Sequence, residues 1–341
     1  MNCRVKLQGL LACSSIGLLA MAANASAAGG GLVLLKSIAQ QDGDARLDYA
    51  VVDPVSRRLY VARGFGVTAV DLDSEKVTRQ LVAGQHVHAV LPLPDGRVLS
   101  TNADTNTATL FEGASGTVIA QIATGNDPDA AVFDPVSGLV LVMNGKDGDA
   151  TLIDPVAGKP VGKLQIGGKL EFAVADGHGR VYVNIEDQNA VAVIDTAARK
   201  VVGHYALSGC DGPTGLGFDA ESGVLVAACA NRLAVAIHAA DGSAAAANLA
   251  IDRHPDAVIF DAARKAFYIP CGRDGTLAVI TQTNGSGLSV TSKIPTSVGA
   301  HTGALDPKTG HLYIPTADYH LTFSGFAPAD GSFRILVFGA N

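Results

Sequence analysis

The chain repeats itself. A period of about 40 to 45 residues runs through most of its length, which restricts the fold to solenoids, propellers and related arrays. The recurring unit is a tight turn between two short apolar runs. It reads AVVDPVSRRLYVA from residue 50, AVLPLPDGRVLST from 89, AVFDPVSGLVLVM from 131 and FAVADGHGRVYVN from 172. It continues as GLGFDAESGVLVA from 215, AVIFDAARKAFYI from 257 and GALDPKTGHLYIP from 303. In each copy an apolar run ends in Asp or its equivalent, a Pro, Gly or Ser turn follows, and a β-branched or Tyr-rich run returns. That is the pattern of a β-hairpin.

A third strand is legible after most copies, as in VTAVDLD, DATLIDP, NAVAVIDT and GTLAVIT. A weaker fourth follows in KVTRQLV, KPVGKLQI, KVVGHYA and LSVTSKI. Four short antiparallel strands repeated seven times predict an all-β, seven-bladed β-propeller. The seventh unit stops early: FRILVF at 333–338 supplies its third strand and the chain ends soon after. The leftover segment LVLLKSIA from Leu32 is expected to pair as its outer strand, closing the ring and removing two exposed edges. No linking segment keeps a helical period, so a parallel α/β fold is excluded. One domain over residues 28–341 is expected.

Residues 1–27 read as a secretory signal. Arg4 and Lys6 are its positive start, the run from Leu10 to Ala23 its apolar core, and Ala25-Ser26-Ala27 a small-residue cleavage site. A periplasmic or secreted protein is expected, cleaved after Ala27 and without a membrane span in the mature chain. Three cysteines then remain, Cys210, Cys229 and Cys271. An odd count in an oxidising compartment points to one bridge and one thiol. Antiparallel pairing in the fifth unit brings Cys210 to Cys229. Cys229–Cys271 is the competing connectivity, because Cys271 holds nearly the same place one unit later.

Composition narrows the function. With 25 Lys and Arg against 32 Asp and Glu the net charge is -7, which argues against nucleic acid as a partner. The chain has no Trp, and quinoprotein dehydrogenase propellers, sialidase Asp-boxes and WD repeats all depend on it. No GxSxG, P-loop, HExxH, CxxC or CxxCH occurs, so there is no haem, PQQ or nucleotide signature.

The strand motifs LYVA, VYVN and LYIP, followed by third strands of the type xGTxxVID, resemble the YVTN family of β-propellers. More narrowly the chain is similar to exported YncE-like members. Asn126-Asp127-Pro128-Asp129-Ala130, Val183-Asn184-Ile185-Glu186-Asp187 and Leu305-Asp306-Pro307-Lys308-Thr309 carry the likeness, which extends from about Leu32 to Asn341. It implies a fold and lends no catalytic residue.

In a propeller, the starts of the innermost strands and the loops after the second strands meet at one mouth of the central channel. Five residues before each turn Asp lie Asp48, His88, Asp129, Glu171, Thr214, Asp256 and His301. Two positions earlier are Arg46, His86, Asp127, Lys169, Gly212, His254 and Gly299. Asp48, His88 and His301 come from consecutive units, and two imidazoles with a carboxylate suit an open divalent-metal site. His86 and His254 would add ligands or orient the others. Polar residues at a hydrated channel mouth are equally the default for such a ring, and Asp beside Pro is ordinary turn chemistry.

The loops after the second strands add Asn102, Asp104, Asn144, Lys146, Glu186, Asn231, Arg273 and His320. Most are residues that turns require; Arg273 and His320 are not. Two functions follow. One is a monomeric binding module that takes a protein or small ligand at the mouth through His86, His88, Glu171, His254, Arg273, His301 and His320. The other is a metal-assisted hydrolase, lactonase or lyase at the same place, using His88, His301 and Asp48 or Glu171.

Overall fold

A computed structural model describes Met1 and residues 31–40, 43–283, 287–322 and 325–340. The expected signal at 1–27 lies outside the described residues beyond Met1. From Leu32 onward the chain is one compact unit.

That unit is a seven-bladed β-propeller. Each blade is a four-stranded antiparallel sheet, and in blades 1 to 6 the strands follow in chain order from inside to outside. The inner strands are Leu47–Asp53, Val87–Pro92, Pro128–Asp134, Leu170–Ala175, Pro213–Asp219, Ile259–Asp261 and Ala304–Asp306. Each packs against the next, and the first meets the seventh, so the ring is closed. Blade 7 is completed as expected: Arg334–Ala340 is its third strand and Leu32–Ala39 pairs antiparallel with it as the fourth. One feature was not legible. Between the second and third strands of blade 7 the chain makes an extra hairpin, Tyr319–Thr322 with Gly325–Pro328.

Burial explains the strand order. Second strands are buried almost end to end, as in Leu139–Asn144 where all six residues are buried, because neighbouring blades cover both their faces. Outer strands alternate, as in Lys200–Ala206, where one face meets water. The core is therefore divided among the gaps between blades. Seven apolar clusters occur among the described residues, one in each gap. The Tyr60 and Phe111 cluster lies between blades 1 and 2, and the Tyr313 and Phe333 cluster between blades 7 and 1.

The recurring Asp is a turn device. The Asp53 carboxylate accepts the Val55 N–H at 2.9 Å and the Ser56 hydroxyl at 2.6 Å. Asp154, Asp219 and Asp306 do the same for their own turns. A carboxylate that satisfies the next backbone donors fixes the hairpin, so the repeat is conformational in origin. Arg57 adds a link between blades by reaching Asp306 at 2.7 Å.

Candidate functional site

Five inner strands share a defect. Register slips between Leu47 and Ala50, Val87 and Val90, Pro128 and Ala131, Leu170 and Ala173, and Pro213 and Leu216. Each slip is a β-bulge, which leaves two residues unpaired and turns their side chains away from the regular pleat. The unpaired residues include Asp48, His88, Asp129, Glu171 and Thr214, the expected ring. In blades 6 and 7 Asp256 and His301 occupy the corresponding approach to the inner strand, Asp256 directly after the bridge between Pro255 and Cys271.

The ring is an electrostatic unit. His88 Nδ1 lies 2.6 Å from Asp48 Oδ2 and 3.9 Å from Asp129 Oδ1. His301 Nε2 is 3.9 Å from Asp256 Oδ2, and its Nδ1 is 2.6 Å from the Gly299 carbonyl. Lys169 pairs with Glu171 at 3.0 Å and also with Glu186. Thr214 turns away, its hydroxyl donating to the Pro255 carbonyl at 2.9 Å. Among the described residues no three His, Cys, Asp or Glu side chains gather as a metal cage.

The residue after each ring position builds a floor. In five blades that position is small: Ala89, Ala130, Gly215, Ala257 and Thr302. In blades 1 and 4 it is Tyr49 and Phe172, whose rings meet edge to face with centroids 4.9 Å apart. Inner strands touch their neighbours in ring order, so a contact between blades 1 and 4 has to cross the channel. The mouth is therefore a blind cup, with an aromatic floor under a polar rim. The sequence signal was present, as two large residues in a column of small ones, but only the bulge register gives it meaning.

The other candidates sort by position. Residues of the turn before the ring adopt left-handed backbone: His86 has φ 53°, Asp127 58° and His254 61°, where blades 5 and 7 use Gly212 and Gly299. A non-glycine residue there costs on the order of 1 kcal/mol, so three blades keep a polar side chain against conformational preference. The His86 ring packs 4.4 Å from His88, and His254 packs 5.6 Å from His301. His254 and Arg273 share a recess of about 440 Å³ with Asp256, Thr214 and Glu186. They also line a smaller one of about 220 Å³ with His301 and Tyr319. His320 is not gathered; it is exposed on the extra hairpin. Asn102 and Asn144 are structural, buried and donating to Thr109 at 3.0 Å and to Thr151 at 2.9 Å. Asp104 meets His86 at 3.3 Å, Lys146 meets Asp127 at 3.5 Å, and Asn231 donates to the Gly209 carbonyl.

The cysteines settle on one connectivity. Cys210 and Cys229 are bridged, with Cα atoms 5.6 Å apart. Cys271 is a free buried thiol, which corrects the alternative Cys229–Cys271 pairing. Cys229 and Cys271 each end a second strand, in successive blades, and point into different gaps.

Charge and burial compete in the cup. Burial opposes the charge on His88, yet the hydrogen bond and charge of Asp48, with the charge of Asp129, raise it to about 9. Burial, reinforced by neighbouring carboxylates, pushes Asp129, Asp256 and Glu171 above the usual range. Burial lowers His301.

A raised imidazolium contributes stability that is complete below its unfolded value near 6.5 and is lost as pH rises through about 9. Raised carboxyls act in the same direction, because the folded ring holds their protons more tightly than the unfolded chain. His301 acts oppositely, below pH 6.5. Stability from denaturant titrations is expected to fall by roughly 2–3 kcal/mol between about pH 6.5 and 9.5. A curve that is flat or rises over that interval would contradict this account of the cup.

No family model matches the chain, and no curated protein does. Solved structures do. A chain of Kuenenia stuttgartiensis hydrazine synthase superposes with TM-score 0.69 at 14% identity, covering 86% of this chain and 97% of that one. A chain of a mitotic checkpoint complex gives TM-score 0.73 at 14% identity over 99% of both. The U3-55K structure gives 0.71 at 12% identity, covering 89% of this chain and 98% of that one. At such identities the likeness is one of fold.

Proposed function

We propose that this chain is an exported binding module of the YVTN type that engages a protein partner through the mouth of its channel. One observation carries the reading: the cup is blind, closed by Tyr49 and Phe172, and rimmed by polar side chains from six blades. A closed, rigid concavity suits recognition, since its side chains are ordered before a partner arrives. The extra hairpin supports it. Tyr319 packs over Gly299 beside the recess, and the next residues, His320 and Leu321, stand in solvent with Leu321 76% exposed. An inserted element with an exposed Leu beside the cup supplies an apolar contact that the polar rim lacks.

A photo-crosslinker at Leu321 is expected to trap a discrete partner in the cell envelope, where one at Ile119, on the outer strand of blade 2, traps none. Arg273→Glu in the same protein should lower the yield at least about fivefold. Equal labelling from both positions sinks the reading. The metal-assisted hydrolase remains the competitor. Near-stoichiometric metal in the parent, lost in a His88→Ala/His301→Ala variant that stays folded, would put that reading first.

A further inference from the structure

Three groups in the cup lack hydrogen-bond partners. Among the described residues no donor reaches the Asp129 or the Asp256 carboxyl; imidazole nitrogens of His88 and His301 stand 3.9 Å away. Both side chains remain open to the cup, 18% and 24% exposed. Beneath them Tyr49 is only 6% exposed, and its hydroxyl has no hydrogen-bond partner among the described residues. Tyr49 follows Asp48 in the same bulge, so its ring starts beside the polar residues of the mouth. None of the three is sealed from water, so each is open to a donor that an incoming group supplies.

We infer that the cup binds an organic cation, the guanidinium or ammonium tip of an Arg or Lys side chain carried by the partner; this rests on the binding-module reading. The chemistry fits in three ways. Asp129 and Asp256 belong to blades 3 and 6, on different sides of the ring, and a group with several N–H donors can serve more than one carboxyl. The Tyr49 oxygen accepts one more donor. The rings of Tyr49 and Phe172 offer π surface below the charge. The cup's own amine is already engaged, since Lys169 is held by Glu171 and Glu186. A metal ion asks for something else, ligands converging within about 2.0–2.6 Å of one point, and the described side chains do not converge so.

Calorimetric titration of the full mature protein with acetyl-arginine N-methylamide tests the inference. Its uncharged near-isostere, acetyl-citrulline N-methylamide, is the control. The arginine derivative should bind at least about tenfold tighter than the citrulline one, and Asp129→Asn/Asp256→Asn should remove about a tenfold share of that affinity. Tyr49→Phe, which keeps the ring contact, should weaken binding about threefold with the melting temperature unchanged. The double Asn variant should melt higher than the parent when both are empty, as relief of buried charge requires.

Equal affinity for the two derivatives overturns the inference, as does arginine binding that ignores both carboxyls. Zinc or calcium bound stoichiometrically in place of the arginine probe overturns it as well. A partner still trapped at Leu321 by the double Asn variant leaves the binding module standing and ends the cation reading. Arginine binding without any trapped partner does the reverse.

Discussion

Alanine at both Cys210 and Cys229 is expected to destabilise the propeller by about 3 kcal/mol. The bridge closes a segment of 19 residues that includes the inner and second strands of blade 5. Without it the unfolded chain regains the freedom that the crosslink removed. Blade 5 has little to compensate, because its fourth strand is only Leu249–Ala250. Cys271 is the internal control. It ends the second strand of blade 6 as Cys229 ends that of blade 5, is fully buried, and carries no bridge. Cys271→Ala should cost about 1 kcal/mol, the loss of one small buried group. Denaturant titrations of the three proteins decide it. A double variant as stable as the parent would show the bridge to be redundant.

The second large effect belongs to the floor. Tyr49→Ala and Phe172→Ala should each cost about 3 kcal/mol, since each deletes an aromatic ring at a place where only small residues can collapse inward. The sharper readout is the coupling between them. Edge-to-face aromatic pairs are worth about 0.5–1.5 kcal/mol beyond their burial, so the double variant should lose less than the sum of the singles by that amount. Blades 1 and 4 are not neighbours, so coupling of this size reports the contact across the channel and nothing else. Additivity within about 0.3 kcal/mol would mean that the rings do not meet and that the channel is open.

The same pair shows what hydrophobic patterning does not carry. Tyr49 and Phe172 follow the ring positions Asp48 and Glu171 by one residue, and strict alternation assigns them to the opposite face of the strand. The bulges cancel that rule, leaving both residues of each pair unpaired. Bulge positions are set by how neighbouring blades pack, and hydrophobic patterning carries no mark of them. The extra hairpin is illegible for a related reason: it lies in the connection after the second strand of blade 7, where His320 is expected, and its GFAP strand has no alternation to reveal it.

What local chemistry dictates was legible throughout. Turn Asp, Gly and Pro, set between β-branched runs at a fixed period, specify hairpins, their number and their antiparallel order. Closure by Leu32–Ala39 follows from the need to cover an edge. The nearness of Cys210 to Cys229 is a consequence of pairing within one hairpin. By itself, then, the sequence determined the blades, the ring and the list of polar residues at its mouth. Only the tertiary structure decided which of them meet. Asp48 with His88 and Tyr49 with Phe172 are contacts between different bulges around a common axis. Their separation is fixed by the tilt and packing of seven sheets, a global quantity that no short stretch of chain encodes.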